Sequence, residues 1–217
     1  MLEGVGIPHV EISLILVDGV VSDWNTKVKE GLRISVYPSF RSIEGIPQTL
    51  NPKYPLSDIS FVADVHLGKL VRFLRMVGYD TLYDSAFSDE EIISISSQES
   101  RVILTRDKGI LCHGSSQWGY FLRSQNPREQ LHEVLSTFGF PKNAAPLSRC
   151  MVCNGLIAKI SKVVANQEVL KEIIDQYEYF FRCEKCGRIY WEGSHYLKMR
   201  SDLNKLSLKF AHGCVSI

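Results

Sequence analysis

Residues 59–84 read ISFVADVHLGKLVRFLRMVGYDTLYD, and this stretch decides the fold. Ile59–Ala63 has the β-branched and aromatic residues of a buried strand, which ends at Asp64. Apolar residues then recur with helical spacing as far as Gly78, at Leu67, Leu70, Val71, Leu74 and Val77. Tyr79–Tyr83 predicts a second strand. This order of strand, helix and strand is typical of a parallel sheet covered by helices.

The same alternation continues toward the carboxyl end of the chain. The predicted elements are a helix opened by a capping box at Ser88–Glu91, strands at Val102–Thr105 and Trp118–Leu122, and a helix at Pro127–Phe138. We therefore predict an α/β fold, with a central parallel sheet in a domain over residues 58–146.

Two cysteine pairs form the most specific motif in the chain. Cys150-x2-Cys153 and Cys183-x2-Cys186 supply the four thiolates of a closed structural zinc site. We expect the nearby Gly155 and Gly187 to adopt positive φ where the chain turns past each second thiolate. A disulfide framework and a redox C-x-x-C are the alternatives, which a reducing compartment and the presence of two copies disfavour.

The remaining sequence divides the chain into segments. The stretch between the cysteine pairs is longer than usual, and its apolar spacing predicts a helix over Gln167–Phe181. Strand-like runs at Val10–Val17 and Leu32–Tyr37 predict a small β-rich unit over residues 1–40. The other predicted segments are a proline-rich linker over 41–57, the α/β domain over 58–146, and a zinc ribbon with a basic tail over 147–217.

Composition limits the class of protein. The 217 residues are 45% hydrophobic and 23% charged with a net charge of +1, which is typical of a globular chain and argues against capture of nucleic acid by overall charge. We find no signal peptide or membrane-spanning run, so we expect a cytoplasmic protein without a membrane partner. Cys112 and Cys214 are expected to be unpaired thiols.

Acidic residues follow the predicted parallel strands, where open α/β sheets bind their ligands. Asp64 ends the first strand and Asp107 follows the third, while Asp89 in a helix's first turn is placed to complete a cluster. Clustered carboxylates favour a hard divalent cation, so Mg²⁺ or Mn²⁺ is the implied catalytic metal. Asp89 also has a structural interpretation, because a negative charge in the first turn complements the helix dipole. Glu91 has one as well, because it has the spacing from Ser88 that a capping box requires.

Several stretches together carry a family resemblance. They are FVADVHLGKLVRFLRMVGYDTLYD (61–84), SDEEI (88–92), ILTRDKGIL (103–111), PREQLHEVL (127–135), and SRCMVCNG with RCEKCGRIYWEGSHYLKM in the ribbon. This combination resembles the Mut-seven C-terminal family, PIN-like ribonuclease domains with a three-layer fold and a C-terminal zinc ribbon. The resemblance implies metal-dependent RNA cleavage at Asp64, Asp89 and Asp107. Such sites often carry a fourth acid, whereas Lys108 and Gly109 follow here.

The amino-terminal stretches HVEISLILVDGV (9–20) and KEGLRISVYPSF (29–40) resemble the second half of the ubiquitin-like β-grasp module that often precedes this family. The first hairpin and most of the helix of that module have no counterpart in the chain, and neither does a Gly-Gly terminus for sulfur carriage. Half a module buries little surface. We therefore expect this segment to be only marginally stable unless it packs on the nuclease domain, on a protein partner or on a second copy of the chain.

Basic and aromatic residues are interleaved from Arg182 to Lys209, with Tyr190, Trp191 and Tyr196 among them. Basic side chains suit phosphates and aromatic rings suit unstacked bases, so single-stranded RNA is the expected partner. The candidate substrate-binding residues are Lys69, Arg72, Arg106, Arg188 and Lys198. Tyr190 and Trp191 have an alternative role in the core of the ribbon.

The function predicted from the sequence is a metal-dependent ribonuclease whose structural zinc ribbon aids RNA binding. A zinc-ribbon nucleic-acid-binding protein with a degenerate acidic site is the alternative, because the fourth acid is missing. A third class is an interaction module that acts through residues 1–40.

Overall fold

The computed structural model describes residues 2–38, 59–142, 145–194, 196–201 and 204–205. The predicted linker, Cys214 and the end of the basic tail lie outside these residues. Within the described ranges, no helix combines the length and the hydropathy that a membrane span requires.

The secondary structure follows the alternation that the sequence predicts, with short additional elements. The strands are β1 (Ile12–Val17), β2 (Val20–Ser22), β3 (Ile34–Pro38), β4 (Phe61–Ala63), β5 (Thr81–Leu82), β6 (Val102–Thr105), β7 (Gly119–Phe121), β8 (Ile157–Ile160), β9 (Phe180–Cys183) and β10 (Ile189–Trp191). The α-helices are α1 (Gly68–Met76), α2 (Asp89–Glu99), α3 (Lys108–Cys112), α4 (Pro127–Phe138), α5 (Lys162–Ala165) and α6 (Lys171–Gln176). Short 3₁₀ helices lie at Glu3–Val5, His9–Glu11 and Val65–Leu67.

The chain forms two compact units, each built from two stretches of sequence. The first unit comprises Met1–Leu67 and Tyr83–Gln125, and the second comprises Gly68–Leu82 and Asn126–Ile217. The acidic residues singled out by the sequence all belong to the first unit, and the paired cysteines all belong to the second.

Three parallel strands lie at the centre of the first unit. β6 lies between β4 and β7, with Val62 opposite Ile103 and Leu104 opposite Tyr120. Every residue of β4 and β6 is buried, as expected for parallel strands covered on both faces. Helix α2 packs on β4 and β6, and α3 packs on β6 and β7. The predicted α/β fold with a parallel sheet is confirmed.

A three-stranded antiparallel sheet, in the order β2-β1-β3, also belongs to the first unit. β1 and β2 form a hairpin whose turn residues Asp18 and Gly19 have φ of 48° and 81°. Turns with two positive φ values match the right-handed twist of the flanking strands, so this pair of residues favours the hairpin. β1 begins at Ile12 because residues 9–11 form a 3₁₀ turn instead of the predicted strand.

In the second unit, α1 packs against α4. Leu70 and Leu74 of α1, with Leu131 and Val134 of α4, are almost completely buried. Helix α4 has the predicted bounds, with Asn126 as its N-cap, Pro127 in its first turn and Gly139 at its end. The Tyr79 hydroxyl donates to Gly139 O at 2.7 Å and so fixes the end of this helix.

The ribbon in the second unit is an antiparallel sheet in the order β10-β9-β8. Ala165, Ile174 and Phe180 form its buried core, against which Ile160, Ile189 and Trp191 pack, among other residues. The helix predicted over Gln167–Phe181 is wrong in extent, because α6 covers only Lys171–Gln176. Tyr177 is already extended, and Phe180 enters β9, where strand pairing and burial outweigh the helical spacing.

Candidate functional site

Asp64 lies directly after β4 and is buried, with only 5% of its surface exposed. Its backbone N–H donates to Leu104 O, which continues the pairing with β6 by one residue. Its Oδ1 accepts from His66 N at 3.2 Å, and its Oδ2 accepts from the Thr105 hydroxyl at 2.6 Å. A buried carboxylate needs such hydrogen bonds, and they fix its orientation.

Asp107 lies after β6 and is the N-cap of α3. Its Oδ1 accepts from Gly109 N at 2.7 Å, and its own N–H donates to the Thr105 hydroxyl at 2.8 Å. Thr105 therefore connects the side chain of Asp64 to the backbone of Asp107. The sequence analysis did not single out Thr105, although its place at the end of a buried strand is where polar site residues occur in such sheets.

Asp89 is the first residue of α2, after the N-cap Ser88. The capping box predicted for this helix is confirmed, because Ser88 accepts from Glu91 N while Glu91 accepts from Ser88 N. Partial desolvation raises the pKa of the Asp89 carboxyl, and the negative charges of Asp107 and Asp64 raise it further. The acidic residues that the sequence singled out thus share one electrostatic environment.

The three carboxylates are less tightly grouped than the cysteines. Among the residues that the structure describes, the four thiols have ligand atoms within 4.8 Å of one another, whereas the carboxylates do not form a group this tight.

The thiols of Cys150, Cys153, Cys183 and Cys186 converge in the second unit. The Sγ atoms of Cys150 and Cys186 lie 3.8 Å apart, and those of Cys153 and Cys183 lie 3.3 Å apart. Tetrahedral zinc with bonds of about 2.3 Å places sulfurs about 3.8 Å apart. The four-cysteine cluster therefore fits a zinc site, as the sequence predicted.

The two cysteine knuckles have the same backbone geometry. In the first knuckle, Cys150 N donates to Gly155 O and Asn154 N donates to Cys150 O. In the second knuckle, Cys183 N donates to Arg188 O and Gly187 N donates to Cys183 O, which is the same pattern. The left-handed position is Gly187 (φ 74°) in the second knuckle, as predicted, but Asn154 (φ 67°) in the first. The prediction of positive φ at Gly155 is wrong.

Gly155 serves a different purpose from the one predicted. A Cβ atom there would lie 2.6 Å from Lys185 Cβ and 2.9 Å from Cys183 Sγ. Only a residue without a side chain allows the two knuckles to approach this closely. Glycine is required at this position because a side chain would clash with the second knuckle, and not because the backbone has a positive φ.

The Tyr190 hydroxyl forms a hydrogen bond with Cys150 Sγ at 2.9 Å. Burial raises the pKa of the Cys150 thiol, but the hydrogen bonds from Tyr190 and from backbone N–H groups outweigh burial and lower this pKa to about 6. A thiolate is the form that binds metal. Because Tyr190 holds a candidate ligand and Trp191 packs on the ribbon core, the structure gives both residues roles within the ribbon.

Two polar side chains secure the first knuckle within the second unit. Arg75 is 3% exposed, and its Nη1 donates to Met151 O at 3.2 Å and Val152 O at 2.8 Å. Its Nε and Nη2 donate to Thr81 O. Asn154 accepts from Thr81 N and donates to Asp80. Sequence analysis missed both roles, because they depend on contacts more than 70 residues apart in sequence.

The candidate substrate-binding residues have different surroundings. Lys69 and Arg72 are exposed on α1, and Arg188 and Lys198 are exposed in the ribbon part of the chain. Arg106 is instead half-buried, and its Nη1 donates to the carbonyl oxygens of Leu122, Arg123 and Ser124. Arg106 thus holds the segment after β7, a structural role that the sequence did not predict.

Two family models match the chain. The Mut7-C RNAse domain family matches residues 59–203, and the Mut7-C ubiquitin family matches residues 1–44. Neither curated proteins nor solved structures give a match. Since the first match covers well over half of the chain, the protein belongs to the Mut7-C RNAse domain family and carries a Mut7-C ubiquitin segment at its amino end.

Proposed function

We propose that this protein is a metal-dependent ribonuclease whose hydrolytic centre is formed by Asp64, Asp89 and Asp107. Membership of an RNase domain family supports RNA as the substrate. One observation carries the assignment of the centre: Asp64 and Asp107 follow the neighbouring parallel strands β4 and β6, and the Thr105 hydroxyl donates to Asp64 Oδ2 and accepts from Asp107 N. The charges of Asp64 and Asp107 also raise the pKa of Asp89. A carboxyl whose pKa is raised by neighbouring carboxylates is often found in a functional site.

The donor set fits a hard divalent cation. All the candidate ligand atoms are carboxylate oxygens, which suit Mg²⁺ and Mn²⁺ better than softer metals. Such an ion, when bound, would lower the pKa of a coordinated water and polarise the phosphoryl group.

The chain's own residues set up this centre in distinct ways. Asp64 is buried and fixed by Thr105 and His66 N, so it is a preorganised ligand. Asp107 uses one oxygen to cap α3, which leaves its second oxygen for a ligand role. Asp89 is exposed at the first turn of α2, where it can meet solvent and substrate.

The ribbon has a supporting role in this proposal. Four thiolates leave no open position on zinc, so the ion holds the knuckles and takes no part in the chemistry. The exposed Arg188 and Lys198 are proposed to contact phosphates of single-stranded RNA, as are Lys69 and Arg72 on α1. A four-thiolate site also suits a reducing compartment, which supports the cytoplasm as the location.

Cleavage of labelled single-stranded RNA by the full-length, zinc-loaded protein tests the proposal. We expect Mg²⁺ or Mn²⁺ to stimulate cleavage, and Asp64→Asn, Asp89→Asn or Asp107→Asn to reduce it at least about a hundredfold, because each variant removes a charged ligand. Asp175→Asn is the matched control, since Asp175 is an exposed acid of α6.

Equal cleavage by the wild type and all the variants would refute this centre. RNA binding without cation-stimulated cleavage would instead favour a zinc-ribbon nucleic-acid-binding protein, the alternative that the sequence left open.

A further inference from the structure

The amino-terminal segment packs directly on the elements that carry Asp107. The 3₁₀ turn His9–Glu11 contacts both α3 and β7, and all three belong to the first unit. The expectation that half a β-grasp module needs a surface to pack on is therefore met within this chain.

The same segment contacts the first residue of α3 and the loop that follows this helix. At its first residue, Lys108 Nζ donates to Gly6 O at 3.0 Å and lies 5.6 Å from the centre of the Phe121 ring. Just beyond its last turn, Ser116 O lies 2.9 Å from His9 Nε2. A five-residue helix has little stability of its own, so such external contacts determine its position.

The edge of β7 is covered by a carboxylate. Glu11 Oε1 accepts from Phe121 N at 2.7 Å, and Glu11 Oε2 lies 3.5 Å from Arg123 Nη2. The Glu11 side chain is only 16% exposed. An edge strand presents unpaired N–H groups, and this carboxylate satisfies one of them where β7 faces away from β6.

Apolar packing completes the contact. Val10 is 5% exposed. A Cβ atom on Gly119 would lie 3.3 Å from Val10 Cγ2 and 2.3 Å from Leu111 Cδ2, so the absence of a side chain at Gly119 lets Val10 and Leu111 pack closely. Val10 thus fills the space between β7 and α3.

We propose that Gly6, His9, Val10 and Glu11 form a clamp that positions Asp107 by holding the start of α3 and the loop that follows it, whose Ser116 hydroxyl donates to Ile110 O of α3. The proposal rests on the hydrolytic centre described above, because it gives the amino-terminal segment a role in that centre. Asp107 caps α3, so any shift of α3 moves its carboxylate relative to Asp64. The residues of the clamp are positioning residues and do not touch the substrate.

The test uses the full-length, zinc-loaded protein with the double substitution Glu11→Leu and Lys108→Met. Because each of the two substitutions removes one hydrogen bond of the clamp, we expect amide hydrogen exchange across residues 107–112 and at Phe121 to accelerate about tenfold or more. We expect Mn²⁺ affinity, measured by electron paramagnetic resonance, to fall about threefold or more, since a displaced ligand costs binding energy. Exchange in α4 and the zinc content should stay unchanged.

Two controls separate the clamp from general destabilisation. Glu30→Leu with Lys29→Met makes the same changes at exposed positions of the same segment and should alter neither readout. The single variant Lys108→Arg keeps a donor for Gly6 O and should retain most of the Mn²⁺ affinity, whereas Lys108→Met should not. If the double variant does not fold, this pair of single variants decides the question.

The outcomes distinguish the two proposals. Unchanged exchange across residues 107–112 would overturn the clamp, and faster exchange with unchanged Mn²⁺ affinity would overturn its role in positioning Asp107. Wild-type protein that binds no Mn²⁺ would refute the hydrolytic centre, and with it the clamp's role there, while the exchange data would still show whether the segment holds α3.

Discussion

The Thr105 hydroxyl donates to Asp64 Oδ2 at 2.6 Å, although the two residues are 41 positions apart in sequence. The Thr105 hydroxyl oxygen also accepts from Asp107 N, so one buried side chain holds two acidic residues in a fixed relationship. Hydrogen bonds to a charged carboxylate are shorter and stronger than neutral ones. The geometry of the proposed centre therefore depends on a neutral residue as well as on the acids.

Replacing Thr105 with the isosteric valine removes both hydrogen bonds without opening a cavity. We expect Thr105→Val to lower the free energy of unfolding by about 1–3 kcal/mol, because it leaves buried polar groups unpaired. We expect RNA cleavage to fall about ten- to a hundredfold as Asp64 loses its fixed orientation. Thr137→Val is the control, since the Thr137 hydroxyl donates to Glu133 O within α4, away from the acidic residues. Unaltered cleavage would contradict the proposed role of Thr105.

Arg75 should connect the stability of α1 to that of the zinc knuckle. Arg75→Met keeps the aliphatic bulk but leaves the carbonyl oxygens of Met151, Val152 and Thr81 without this donor. We expect urea denaturation to show a loss of about 2–4 kcal/mol, since several buried hydrogen bonds disappear together. A chelator should also remove zinc faster. The exposed Arg72 provides the matched control, and Arg72→Met should change stability by less than about 0.5 kcal/mol.

Asn154 combines a backbone role and a side-chain role that two substitutions separate. Asn154→Gly keeps a residue that tolerates φ of 67° but loses the bonds to Thr81 and Asp80. We expect it to cost about 1–3 kcal/mol, because the buried Thr81 N–H loses its acceptor. Asn154→Ala should cost about 1 kcal/mol more, from left-handed strain. Equal unfolding free energies for the two variants in urea denaturation would argue against that strain.

Gly155→Ala should impair zinc binding through steric contact. The added methyl group would meet Lys185 and Cys183, which we expect to cost about 1–3 kcal/mol by overpacking and to lower the ratio of zinc to protein. Gly114→Ala is the control, because a Cβ atom there meets nothing within 4 Å. Inductively coupled plasma mass spectrometry measures the ratio, and full zinc content in Gly155→Ala would show that the knuckles can separate without losing the metal.

The elements that the sequence predicts best are those in which several local signals agree. Helix α4 has an N-cap asparagine, a proline in its first turn, helical spacing and a terminal glycine, and its predicted bounds are confirmed. β6 is a continuous buried run and is also confirmed. The four-cysteine cluster was predictable because ligand type and spacing are both local.

The features that the sequence does not reveal depend on contacts distant in sequence. α3 has only five residues and too few turns for a periodic pattern, and its N-cap Asp107 suggested a metal ligand first. The roles of Arg75 and Arg106 depend on carbonyl groups that only the folded chain brings near them. The helix predicted over Gln167–Phe181 fails for a related reason, because the pairing of β9 overrides local spacing.

The most direct test of the central claim is Mn²⁺ binding without RNA, measured by electron paramagnetic resonance on zinc-loaded wild-type protein and on Asp64→Asn and Asp107→Asn. We expect wild type to bind Mn²⁺ and each substitution to weaken binding at least about tenfold, because each removes a charged oxygen ligand. Asp175→Asn should bind as wild type does. Equal Mn²⁺ affinity in wild type and in both site variants would contradict the claim that these residues form a cation site.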